Sequence, residues 1–154
     1  MPPDPTFRPA APEDRGPLEA LQSRASLVWE EDRAALLAHP DAIRLPPEQI
    51  AAGLVWVAER EGAAIGCYAL LLRPDGDAEL DGLFVEPKAW GKGIGRLLLT
   101  HAEMTARSAG AQRIHVVANP RAAGFYAACS YERIGMETTQ FGPAIGMAKT
   151  LIEP

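Results

Sequence analysis

The densest chemical signal lies in Val85-Glu86-Pro87-Lys88-Ala89-Trp90-Gly91-Lys92-Gly93-Ile94-Gly95-Arg96-Leu97-Leu98-Leu99. Alternating apolar residues enter a glycine-rich turn, and helical spacing leaves it. The first N–H groups of a helix lack internal partners and sit at the positive end of its dipole. Glycines let a ligand approach the main chain, and Lys92 and Arg96 add positive charge, so the segment suits a pyrophosphate. A dinucleotide fingerprint is excluded, because Gly-x-Gly-x-x-Gly would need glycine at Arg96 or Leu98. A P-loop is excluded by the missing Gly-Lys-Ser/Thr. A bare Gly-x-Gly-x-Gly is equally compatible with tight strand–helix packing.

Acids form a second group. Alternation along Ala78–Val85 puts Glu79, Asp81, Leu83 and Val85 on one strand face, where the two carboxylates are either bases or solvated hairpin acids. His115 falls on a buried-looking strand, as a packed histidine would. His101 and His39 have weaker claims to chemistry. Cys67 and Cys129 have no metal-ligand spacing and read as reduced core thiols, so no metal is expected.

Positioning these groups requires a defined order of elements. A short strand over Thr6–Arg8 precedes a helical stretch from Pro12 through Leu27, a helix over Glu30–Ala38 and a weaker one over Glu48–Ala52. Leu54–Glu59, Ala64–Leu72 and Ala78–Val85 are strands joined by turn residues into an antiparallel meander. From Ile94 a stripe of Leu97, Leu98, Ala102 and Thr105 predicts a helix stopped at Gly110. Arg113–Ala118 is a strand parallel to the preceding one, reached by a right-handed crossover. Asn119-Pro120 reads as an N-cap opening a helix through Cys129. Strands over Glu132–Gln140 and Ile145–Leu151, hinged at Gly142-Pro143, close the chain. The order β, α, α, βββ, α, β, α, ββ predicts one α/β domain over residues 1–154, a mixed sheet with helices on both faces.

The 154 residues carry a formal charge of −5 and no Lys/Arg run. That disfavours a nucleic-acid partner and weakly favours a cationic acceptor. The start at Met1-Pro2-Pro3-Asp4-Pro5 lacks a signal-peptide pattern, and no apolar stretch is long enough to span a bilayer, so a cytoplasmic protein without a membrane partner is expected. A homodimer is compatible with the sequence, C2 pairs being the commonest assemblies.

The stretch Trp90-Gly91-Lys92-Gly93-Ile94-Gly95 resembles the acyl-CoA-binding motif of the GNAT superfamily, Arg/Gln-x-x-Gly-x-Gly/Ala, with Trp90 in place of Arg/Gln. Asn119-Pro120-Arg121-Ala122-Ala123-Gly124-Phe125-Tyr126 resembles that family's Asn-x-x-Ala-x-x-Phe-Tyr segment, and its usual Gly-Phe continuation is Ser130-Tyr131 here. Together the resemblance covers Leu54 to Leu151. It implies a GNAT-like N-acyltransferase fold, acetyl-CoA as cofactor and an amine acceptor. It places the pyrophosphate on Gly91, Lys92, Gly93, Ile94, Gly95 and Arg96, the pantetheine on Asn119 and the main chain of Phe84 and Val85, and the leaving thiolate near Tyr126. An N–H near Phe84 would be the oxyanion donor. Seven residues separate Asn119 from Tyr126, two helical turns that put them on one side.

Acyl transfer also needs a base, since an alkylammonium titrating near ~10 has no lone pair to attack with. Glu79, fourteen residues before Gly93, matches the catalytic glutamate of histone-acetylating relatives, and Asp81 is its rival. In the family the N-terminal helices wall the acceptor site, where Trp29-Glu30-Glu31-Asp32 would offer an aromatic plane and acids. The leading expectation is acetylation of a small-molecule amine. A protein amine, or a non-catalytic acyl-CoA-binding module, are the alternatives.

Overall fold

Turn and helix-end residues set the element boundaries in the computed structural model, which describes residues 4–28, 33, 37–38, 45–139 and 142–152. The elements are β1 (Thr6–Pro9), a single-turn helix at Pro12–Asp14, α1 (Arg15–Leu27), α2 (Pro47–Ala51), β2 (Val55–Arg60), β3 (Ala63–Leu72) and β4 (Ala78–Val85). A second single turn at Pro87–Ala89 leads to α3 (Ile94–Ser108), β5 (Arg113–Ala118), α4 (Ala123–Ala128), β6 (Glu132–Thr139) and β7 (Gly142–Thr150). Arg33, Leu37 and Ala38 are helical, as expected of Glu30–Ala38. The other residues of that expected stretch lie outside the described residues, as do Trp29-Glu30-Glu31-Asp32, His39 and Gln140.

The strands hydrogen-bond in the order β1-β2-β3-β4-β5-β7-β6, a seven-stranded sheet. It is mixed: β4 and β5 run parallel, whereas β1/β2, β2/β3, β5/β7 and β6/β7 are antiparallel. Glu61 and Gly62 both take left-handed backbone, with φ of 54° and 79°, the geometry a two-residue hairpin needs to match strand twist. No described helix is long and apolar enough to cross a membrane.

The chain packs as two compact units, Met1–Ala69 with Gly82–Leu99 and Leu70–Asp81 with Thr100–Pro154. In the second unit, two helices end in the same way. Gly110 has φ 90°; its N–H donates to Arg107 O and that of Ala111 to Ala106 O, both at 3.0 Å. After α4, Ser130 has φ 76°; its N–H donates to Ala127 O at 3.1 Å and that of Tyr131 to Tyr126 O at 3.0 Å. These are paired Schellman bonds, which satisfy the last carbonyls of a helix when the residue after the cap is left-handed. Glycine meets that demand without strain. Ser130 meets it at a cost of about 1 kcal/mol.

Three boundary expectations are corrected. The helix after Asn119 begins at Ala123, because Asn119 Oδ1 accepts the Ala122 N–H at 2.9 Å and closes a turn first. The two-turn argument relating Asn119 to Tyr126 therefore fails. β7 starts at Gly142 rather than Ile145, with Pro143 opposite Thr138. The β5 ladder ends at Ala118↔Ile145, so Pro143 lies beyond the reach of that ladder and its missing N–H is tolerated. On α3 the buried stripe runs through Ile94, Leu98, Leu99, Ala102, Glu103 and Ala106, whereas Leu97 is 39% exposed and Thr105 half-buried. The inward face is turned by about one residue from the expected one.

In the first unit Leu18, Leu21, Leu45, Ile50, Val55, Val57, Cys67 and Ala69 form the core, with Phe84 packed against it. Burial pushes the Cys67 thiol up to about 12, and both cysteines are free. Arg8 ties the edge strand β1 to its surroundings. Its guanidinium donates to both Asp14 oxygens at 2.7 and 2.9 Å and to Glu59 Oε1 at 2.8 Å. Asp14 also accepts the Ala11 N–H at 2.7 Å.

The hydrogen bonds from Arg8 hold the Asp14 carboxyl below its ordinary 3.8. A depressed folded value means that the contribution is present above the unfolded value and is lost as pH falls through the folded one. Asp14→Asn should therefore destabilise the protein at pH 7. Urea unfolding should show the gap between wild type and variant closing as pH drops below ~3.8; a gap independent of pH would place the effect elsewhere.

Candidate functional site

In the first unit the glycine turn is built by backbone conformation. Gly91 and Gly93 have φ of 77° and 79°, and a Cβ at either would meet nothing within 4 Å. Conformation demands glycine there, and the space beside the main chain is open. Leu97 N–H donates to Gly93 O at 3.1 Å, making it the first amide bonded within α3. The amides of Ile94, Gly95 and Arg96 precede it and have no partner in the helix. Ile94 is 2% exposed, so its side chain is core and its N–H is the group offered. Lys92 and Arg96 are exposed. This donor set at the start of a fifteen-residue helix fits a pyrophosphate.

The approach to the turn is braced at several points. Trp90 donates its Nε1–H to Val85 O at 2.8 Å and links the loop to the end of β4. Glu86 N–H donates to Ile65 O at 2.9 Å. The Glu86 carboxylate accepts from Arg24 of α1 at 2.7 and 3.1 Å, which holds it below the usual carboxylate range. Gly66 of β3 leaves room for the neighbouring strand, since a Cβ there would lie 3.0 Å from Phe84 O. A Cβ on Gly82 would lie 2.7 Å from the Phe84 ring, so Gly82 lets that ring fold back over the strand.

In the second unit β4 pairs with β5 at Ala78↔Ile114, Glu79↔His115 and Leu80↔Val116, and the rest of β4 lies beyond these rungs. Ala78 and Leu80 are buried, Glu79 is half-buried and Asp81 exposed, as the alternation predicts. Asp77, which the spacing did not single out, accepts from or donates to His115 Nε2 at 2.9 Å according to tautomer and protonation. The link is legible only once the register sets His115 beside Glu79. Burial lowers the pKa of His101 on α3. Among the described residues no His/Cys/Asp/Glu group is arranged to hold a metal.

Tyr126 is 6% exposed. Its ring lies edge-on to Phe125 at 5.1 Å and to Tyr131 at 5.5 Å. Burial, then the nearby Cys129, pushes its phenol well above the usual tyrosine range. Tyr131 donates its hydroxyl to Glu103 Oε2 at 2.8 Å, and Lys149 Nζ donates to Glu103 Oε1 at 3.1 Å. Sequence reasoning missed Glu103 and Lys149. The available signal was an acid inside the apolar stripe of α3, four residues after Leu99.

A family model for the acetyltransferase (GNAT) family matches residues 18–131. An IAA acetyltransferase of Azospirillum brasilense is 44% identical over 55 residues, 35% of this chain and 36% of that protein, so the match spans about a third of the curated relative. A GCN5-related N-acetyltransferase (aminotransferase, class-II) from Rhodopseudomonas palustris superposes with a TM-score of 0.74 at 25% identity, covering 97% of this chain and 98% of that one. The PaiA N-acetyltransferase of Thermoplasma acidophilum, solved with coenzyme A, gives a TM-score of 0.76 at 19% identity over 96% and 99% of the two chains.

If the turn before α3 takes a pyrophosphate, coenzyme A should raise the melting temperature through linkage. Gly93→Glu should abolish the shift by adding bulk and negative charge at the amides. Gly93→Ala should lose roughly 1–2 kcal/mol of stability for its left-handed backbone and still bind. Undiminished coenzyme A binding by a folded Gly93→Glu protein would remove the turn from the site.

Proposed function

Because the chain belongs to the acetyltransferase (GNAT) family, we propose that it transfers an acetyl group from acetyl-CoA to a primary amine of a small molecule. The observation that carries this reading is the pair of left-handed glycines opening onto the unpartnered amides of α3. Structural neighbours solved with coenzyme A or acetyl-CoA support the cofactor.

In this reading Ile94, Gly95 and Arg96 offer main-chain N–H groups to the pyrophosphate, with Lys92 and Arg96 adding charge. Gly91 and Gly93 keep the approach clear. The main chain of Phe84 and Val85, and the Asn119 side chain, hold the pantetheine arm. The bound cofactor supplies an acetyl group activated as a thioester. A main-chain N–H near Phe84 would offer a hydrogen bond to negative charge developing on the acyl oxygen. Tyr126 would supply its phenolic proton to the thiolate leaving group. The amine proton goes to Glu79, directly or through water. Glu79 is half-buried and Asp81 exposed, and the family match favours Glu79 as the base. The net charge of −5 suits a cationic acceptor.

The activity is tested by thiol release from acetyl-CoA against polyamines, amino acids, aminoglycosides and short peptides. Tyr126→Phe keeps the ring and removes the donor. Turnover should fall by roughly 10²-fold with little change in acetyl-CoA affinity, and unchanged turnover under chemistry-limited conditions would assign Tyr126 to packing.

Glu79→Gln should lower the rate most at neutral pH and recover at alkaline pH, where the acceptor is already deprotonated. Asp81→Asn should do less. A pH–rate profile for both variants decides; a larger loss with alkaline recovery in Asp81→Asn would reverse the roles.

A further inference from the structure

The second unit contains a buried charged cluster that acyl transfer, as set out above, does not use. Glu103 on α3 is 7% exposed and Tyr131 4%. A carboxylate that deep is costly unless paired and hydrogen-bonded. Here Oε1 takes the Lys149 ammonium at 3.1 Å and Oε2 takes the Tyr131 hydroxyl at 2.8 Å. The Lys149 ammonium also lies 5.8 Å from the centroid of the Tyr131 ring, within cation–π range. Tyr131 is therefore held at both its hydroxyl and its ring.

What Tyr131 holds follows from the helix end. In a Schellman motif the residue two beyond the cap packs on the residue three before it. For α4 those residues are Tyr131 and Tyr126, joined by the 3.0 Å main-chain bond from Tyr131 N–H to Tyr126 O and by rings 5.5 Å apart at 66°. A pair of alanines, as at the end of α3, would satisfy the same backbone motif. The tyrosine brings a hydroxyl that reaches a charged anchor on another helix. That hydroxyl is committed to Glu103, whereas no hydrogen bond engages the Tyr126 hydroxyl among the described residues.

We propose that Glu103 and Tyr131 are positioning residues for Tyr126, the carboxylate fixing the Tyr131 ring and that ring fixing the orientation of the Tyr126 phenol. The proposal rests on Tyr126 being the proton donor. A donor misplaced by a fraction of an ångström loses catalytic effect without changing cofactor binding.

The test uses Tyr131→Phe, which keeps the ring and frees it, and Glu103→Gln, which keeps the shape and weakens the anchor, each alone and combined with Tyr126→Phe. Turnover should fall by roughly tenfold in Tyr131→Phe and less in Glu103→Gln, with the KM for acetyl-CoA within about twofold. In the Tyr126→Phe background both effects should vanish, because nothing remains to be positioned. Fluorine NMR of 3-fluorotyrosine-labelled protein, with the Tyr126 signal identified by its loss in Tyr126→Phe, should show that ring moving more freely in both variants. Wild-type turnover in folded Tyr131→Phe and Glu103→Gln, or losses that persist in the Tyr126→Phe background, overturn the proposal, as does an unaltered Tyr126 signal. Wild-type turnover in Tyr126→Phe alone removes the donor reading instead, and leaves the fluorine signal to report whether Tyr131 orders the ring.

Discussion

Helix ends govern this protein, because each leaves backbone groups that must find partners. The carbonyl ends of α3 and α4 are closed internally by paired bonds around a left-handed residue, Gly110 in one case and Ser130 in the other. The amide end of α3 is different. Gly91 and Gly93 bring the chain in through left-handed backbone and set no side chain beside the first N–H groups. Those amides have no partner within the helix, and closing them with a capping side chain would remove the feature on which the proposed anion site depends.

A site built from main-chain amides, as proposed, would also make the loop tolerant of its side chains. Trp90 carries no charge, yet its indole N–H reaches the Val85 carbonyl and braces the turn from within. Glu86 does similar work one residue beyond β4, through its amide on Ile65 and its carboxylate on Arg24. The Arg24–Glu86 pair is more than half exposed on the arginine side, so its energetic worth is small. Its geometric effect, joining α1 to the strand that enters the loop, is the more consequential one.

The strand meander and the crossover were legible because their signals are local. Turn residues bound Ala78–Val85 and Arg113–Ala118 on both sides, and the observed strands coincide with those limits. The glycine turn itself was legible for the same reason, and Gly91 and Gly93 both take left-handed backbone there. What failed depended on competition or on distance. Asn119 is a good helix cap by type, but its side chain closed a turn of its own and delayed α4 to Ala123. The inward face of α3 was misjudged because Leu97 looks like core by type, while Glu103 lies inside only because Tyr131 and Lys149 arrive from distant segments. No window of sequence contains that partnership.

The same logic separates the acids of β4 and its turn. Asp75 caps the hairpin by accepting the Asp77 N–H at 2.9 Å, which lowers its pKa. Asp77 is engaged with His115. Each of these carboxylates is occupied by a neighbour that structure alone requires. Asp81 is exposed. Glu79 lies between these extremes, half-buried on the strand face that it shares with Asp77 and Asp81, with no hydrogen bond or ion pair engaging it among the described residues. An acid that the fold half-buries without giving it a partner is the one left available to a ligand on that strand face.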